Sequence, residues 1–151
     1  INVLYSGTMA AAIEGAIEGI PSIGFSLLDY SHDADFSQCE DYVLKIAEQV
    51  LENPIPKGTC LNVNIPNVKK DALKGVRVCR QANGNWDEEF DERVNPMGKT
   101  YYWLTGKFEN ADEGTDTDIW ALNNNYISVV PVMFDLTAHQ LVQNLKAMNH
   151  G

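Results

Sequence analysis

Tyr5-Ser6-Gly7-Thr8, set directly before the run Met9-Ala10-Ala11-Ala12-Ile13-Glu14-Gly15, is the arrangement in this sequence best suited to chemistry. The alanines favour helix, and Ser6 or Thr8 is the residue type that caps one. The first backbone N–H groups of a helix have no intrahelical acceptor, and the aligned peptide dipoles place about half a positive charge there. A glycine beside them lets a ligand reach the backbone, and two hydroxyls add donors. Such a turn suits an oxyanion, a phosphate in particular. The same four residues also read as an ordinary helix cap, and the pattern alone does not choose.

The other candidates are weaker. Asp29, His32, Asp33 and Asp35 lie close together but fit no metal-ligand spacing, and they read as a polar loop. Asp112, Glu113, Asp116 and Asp118 invite comparison with a calcium loop, yet the glycine and the closing glutamate are misplaced for one. Ser6 is flanked by Leu4 and Thr8 where a nucleophile elbow has glycines, and His32, His139 and His150 are scattered. A serine–histidine triad is therefore not expected. Cys39, Cys60 and Cys79 are far apart and odd in number, and they read as buried free thiols of a reducing compartment.

These residues need a scaffold, and the composition allows one domain's worth. The 151 residues are 44% hydrophobic and 21% charged, as in an ordinary globular chain. With 11 Lys and Arg against 21 Asp and Glu the net charge is -10, which argues against nucleic acid as a partner. No apolar run is long enough to span a bilayer, and no export signal is visible, so a cytoplasmic location without membrane attachment is expected. The chain starts at Ile1, and an N-terminal part is expected to be missing.

The hydrophobic pattern predicts α/β units. A helix follows Thr8 and stops at Gly19 and Pro21; Pro21 to Leu28 is a short buried strand. Asp35 or Ser37 caps a second helix that carries Tyr42, Val43, Ile46, Ala47, Val50 and Leu51 at helical spacing. Leu61 to Ile65 alternates as a strand, and Val76 to Arg80 is another. Residues 83–110 read as a long β-hairpin turning at Asn95-Pro96-Met97-Gly98, a sequence suited to a type I turn. If Phe90 pairs with Trp103, one face carries Trp86, Phe90, Val94, Tyr101 and Trp103. Such a ribbon is marginal alone and needs a partner surface. Asp116-Thr117-Asp118 caps a short helix, Tyr126 to Val132 is a strand with Pro131 at an edge or end, and Asp135-Leu136-Thr137 caps a last helix bearing Leu141, Val142, Leu145 and Met148. The expected organisation is an α/β part at 1–82, the hairpin arm at 83–110, and a closing strand and exchange helix at 111–151.

Read together, these segments closely resemble the C-terminal part of the SurE (survival protein E) nucleotidases. The resemblance is carried by Tyr5-Ser6-Gly7-Thr8 with Ala10-Ala11-Ala12-Ile13-Glu14-Gly15, Pro21 to Leu27, Leu61-Asn62-Val63-Asn64-Ile65-Pro66, Asn95 to Trp103, Gly114-Thr115-Asp116 and Tyr126 to Val132 with Asp135-Leu136-Thr137. It runs in order from about residue 3 to residue 145. It implies a Rossmann-like α/β fold whose hairpin and last helix exchange between subunits, making a homodimer or homotetramer. Trp86, Phe90, Tyr101 and Trp103 would then serve as the oligomer arm. It implies a phosphomonoesterase, dependent on a divalent metal ion (Mg or Mn), that hydrolyses nucleoside 5′-monophosphates. Ser6, Gly7 and Thr8 take the place of the family's phosphate-binding Ser-Gly-Thr. The family's metal ligands precede that motif; none is carried onto Asn2, Asp29 or Asp33, so this chain alone is expected to be inactive. The competing expectation is a non-catalytic assembly module.

Overall fold

The computed structural model describes residues 2–149. A 3₁₀ turn at Asn2–Tyr5 leads into α1 (Gly7–Ile17), followed by β1 (Ile23–Leu27), α2 (Glu40–Glu52), β2 (Thr59–Ile65) and β3 (Val76–Val78). Next come β4 (Gly84–Val94) and β5 (Thr100–Asn110), then α3 (Asp118–Asn123), β6 (Ile127–Met133) and α4 (His139–Asn144). Gly19, at φ +76°, takes the left-handed conformation just past the end of α1, the place where glycine closes helices.

Four strands form one mixed sheet in the order β1-β2-β6-β3. β1 and β2 are parallel, β2 and β6 antiparallel, β6 and β3 parallel. Strand alternation sorts the side chains into two layers. On one face Leu61, Val63, Ile65, Ile127 and Val129 pack against Ile46 and Val50 of α2. On the other, Cys60 meets Met9, Ala12 and Ala16 of α1, while Val130 and Cys79 meet Ala121 of α3. A side chain such as Val63 or Ile127, with no exposure, contributes about 1.5–3 kcal/mol by leaving water. The fold is thus α/β with helices on both faces of the sheet. Pro131 sits in an inner strand, opposite Leu61, yet β3 pairs with β6 only from Ile127 to Val129. The missing N–H of Pro131 therefore falls where β6 is locally an edge.

All three cysteines are buried and free, and burial pushes each thiol pKa up.

Three expectations are corrected. The residue at the N-cap of α2 is Cys39, with no side-chain cap; the Asp35 carboxylate instead accepts the Ser37 N–H at 2.9 Å and closes a turn before the helix. The last helix is only six residues long, begins after Ala138 and has no side-chain cap, because Asp135 is spent on the Thr137 N–H and the His139 ring. Its Leu141, Val142 and Leu145 are exposed.

The third correction is the hairpin register. Phe90 pairs with Leu104, and Trp103 with Asp91. A two-residue turn at Pro96-Met97 would pair Asn95 with Gly98 and Phe90 with Trp103. Instead Gly98 adopts φ +77° and adds one residue to the loop, and the Asn95 N–H donates to the Lys99 carbonyl at 2.9 Å. A turn followed by a left-handed glycine is the usual three-residue hairpin loop. One added residue moves the second strand's side chains to the other face. Trp86, Phe90 and Val94 therefore share a face with Tyr102, Leu104 and Phe108, while Tyr101 and Trp103 lie on the reverse with Asp87, Asp91 and Lys107.

Candidate functional site

Ser6 is the N-cap of α1, with extended backbone at φ −80° and ψ 119°. Its Oγ accepts the Met9 N–H at 3.2 Å, its carbonyl accepts the Ala10 N–H at 2.8 Å, and its own N–H donates to the Val3 carbonyl at 3.3 Å. The hydroxyl proton of Ser6 remains available to donate. No acceptor among the described residues meets the N–H of Gly7 or Thr8. A Cβ built on Gly7 would meet nothing within 4 Å, so the approach to these donors is open. Both readings of this motif are therefore realised in one turn: Ser6 caps the helix, and the cap leaves two amides and a hydroxyl pointing outward.

Ser6 lines a cleft of about 590 Å³ over the α1/α3 face of the sheet. The floor is polar: Ser26 of β1 and Asn62 and Asn64 of β2, with the Asn64 Nδ2 donating to the Asn62 Oδ1 at 3.0 Å. Asn62 is only 9% exposed. Beyond it, Ser128 of β6 is fully buried and its Oγ has no hydrogen-bond partner. The far wall is the root of the hairpin, Trp86 and Phe108. Sequence reasoning read Leu61 to Ile65 as an alternating strand and gave Asn62 and Asn64 no part in a site. The available signal was the α/β pattern itself, since a sheet covered by helices on both faces leaves no solvent face for two asparagines.

The hairpin root is fixed beside the cleft by charge. The Arg80 guanidinium binds the Asp112 carboxylate at 2.5 and 2.9 Å and Asp116 at 2.9 Å. Asp112 also accepts the N–H of Asn83 at 3.1 Å and of Gly114 at 3.0 Å. Arg80 first, and these two amides after it, hold the Asp112 carboxyl well below the usual carboxylate range. Asp118 accepts the Ala82 N–H at 2.9 Å. These acidic residues, grouped in the sequence, are thus consumed in bracing the hairpin to α3, whose cap is the buried Thr117.

Among the described residues no three His, Cys, Asp or Glu side chains group as metal ligands. The cleft floor offers neutral amides and hydroxyls, whereas Mg or Mn wants carboxylate oxygens. The residues present do not fit a resident divalent cation. His139 lies on α4, 2.8 Å from Asp135 and not on the cleft. Ile1, His150 and Gly151 lie outside the described residues. No helix among the described residues is long and apolar enough to cross a membrane.

Comparison with known proteins agrees with this architecture. Residues 1–88 match the family model described as Survival protein SurE. The 5′-nucleotidase SurE of Christiangramia forsetii is 60% identical over 147 residues, covering 97% of this chain and 56% of that protein. That of Flavobacterium psychrophilum is 59% identical over 145 residues, covering 96% and 56%. The crystal structure of the SurE protein from Aquifex aeolicus superposes with a TM-score of 0.77 at 36% identity, over 97% of this chain and 59% of that one. The chain thus spans a little over half the length of the relatives it matches, and on this evidence it belongs to the SurE family.

Proposed function

We propose that this chain is the phosphate-holding part of a phosphomonoesterase acting on nucleoside 5′-monophosphates. The observation that carries the reading is the pair of unpaired N–H groups at Gly7 and Thr8, at the open end of an eleven-residue helix and beside a cleft of ligand size. Relatives named 5′-nucleotidase SurE support it. The Gly7 and Thr8 amides and the Ser6 hydroxyl donate to the non-bridging oxygens of the ester. Fixed donors of this kind gain strength as negative charge shifts onto those oxygens and need no reorganisation while the bond breaks. The positive end of α1 acts in the same direction. In a protein of net charge -10, binding is local, set by these dipoles and not by a general field.

A divalent ion, Mg or Mn, belongs to this reading through the family resemblance, with its ligands outside the described residues. The 151-residue chain by itself is then inactive. The hairpin and α4 serve assembly, their exposed apolar side chains packing on a second copy.

The test is amide-resolved titration of the chain with inorganic phosphate. The Gly7 and Thr8 signals shift, and Gly7→Ala weakens binding at least about fivefold while leaving thermal stability unchanged, since the added methyl meets open space. Unchanged binding by Gly7→Ala overturns the site. Release of phosphate from AMP by the pure chain with Mg or Mn overturns the claim of inactivity.

A further inference from the structure

We propose that the hairpin root is a nucleobase wall, so that the cleft takes a nucleoside monophosphate with its base against Trp86 and Phe108. This rests on the phosphate reading and adds the part of the substrate that is recognised. Trp86 and Phe108 are cross-strand partners. Both are large aromatic rings left half-exposed, at 49% and 39%, and both line the cleft that contains Ser6.

Two glycines hold them there. A Cβ on Gly106 would stand 2.5 Å from the Trp86 Nε1, and a Cβ on Gly84 would stand 2.6 Å from the Phe108 Cζ. Each ring thus lies in the space that a side chain would fill on the strand opposite. Each rests on the backbone beneath it, and a ring seated in this way has less freedom to lose when a ligand arrives. The root itself is braced to the body through Arg80, Asp112 and Asp118. A flat apolar wall opposite an oxyanion turn suits a ligand with an aromatic ring at one end and a phosphate at the other.

The Asn62 amide lines the same cleft. Its oxygen is spent on Asn64, and its Nδ2 has no acceptor among the described residues. Asn62 lines the cleft, so this free donor is offered there to a ribose oxygen or a base acceptor. The cleft volume of about 590 Å³ is within the range of small-molecule sites. Trp86 thereby leaves the oligomer arm in which the sequence pattern placed it, while Phe90, farther along the ribbon, stays there.

The experiment uses the 151-residue chain carrying 5-fluorotryptophan, with the Trp86 resonance assigned from Trp86→Phe. AMP and adenosine move that resonance; ribose 5-phosphate and inorganic phosphate do not. Trp86→Leu, which keeps apolar bulk but removes the planar face, weakens AMP about tenfold and leaves ribose 5-phosphate unchanged. Phe108→Leu gives the same split should Trp86→Leu fail to fold. A Trp86 signal indifferent to adenosine while the Gly7 and Thr8 amides answer phosphate overturns the wall and leaves the phosphate site standing. A Trp86 signal that answers adenosine beside silent Gly7 and Thr8 amides supports the wall and overturns the phosphate site. A signal that follows only protein concentration assigns the face to a second copy and overturns the proposal.

Discussion

Ser6 serves two purposes with one hydroxyl: a lone pair caps the helix, and the proton is left over. The two purposes separate by substitution. Ser6→Ala removes both, costing about 1 kcal/mol of stability and weakening phosphate binding. Ser6→Asp keeps a good cap, so urea unfolding stays within about 0.5 kcal/mol of the parent, but it sets a carboxylate where the anion approaches. Its phosphate affinity falls more steeply than that of Ser6→Ala, and equal losses in the two variants would place the anion elsewhere. Ser6 was legible in the sequence because capping depends on residue type and on three residues of spacing. Asn62 and Asn64 were not, because alternation tells which residues share a face but not what covers that face. The ring of Trp86 was assigned to a surface arm and Phe108 was given no role, because their seats on Gly106 and Gly84 depend on cross-strand register.

At the scale of the element, the hairpin shows how one residue sets a surface. Strand positions and the turn were legible from composition, but the register depended on whether Gly98 stands inside the loop or pairs across it. That choice decided which aromatics share a face. The capped helix α3 was legible for the same local reason as α1; α2 and α4 were misread at their starts because Asp35 and Asp135 close turns ahead of the helices. The brace at the hairpin root carries a pH signature. Asp112 has a lower carboxyl pKa folded than unfolded, so the folded state binds its proton less readily. Its contribution is complete above the unfolded value of 3.8 and is lost as pH falls through the folded value beneath. Unfolding by urea at a series of pH values checks this. Asp112→Asn is less stable than the parent at pH 6, and the gap begins to narrow only below about pH 4. A gap that stays constant with pH would remove Arg80–Asp112 as its source.

For the molecule as a whole, the apolar surface is unevenly spread. Phe90 and Leu104, paired on one face of the hairpin, are 69% and 58% exposed, and Leu136, Leu141 and Met148 extend the exposure along the C-terminal segment. A second copy covering the ribbon is the assembly proposed above, and Leu104→Glu shifts a dimer or tetramer to monomer in light scattering. A parent that is monomeric at every concentration refutes it. The order of elements was legible from periodicity, but not the place of β6, which enters the sheet between β2 and β3 from the far end of the chain. Cys39 lies in the core under α2, Cys60 beneath α1 and Cys79 beneath α3, so each of these three packed clusters carries its own sealed thiol. The rate at which a maleimide labels each one therefore clocks how often that helix parts from the sheet, three breathing motions recorded by one chain without any added probe site.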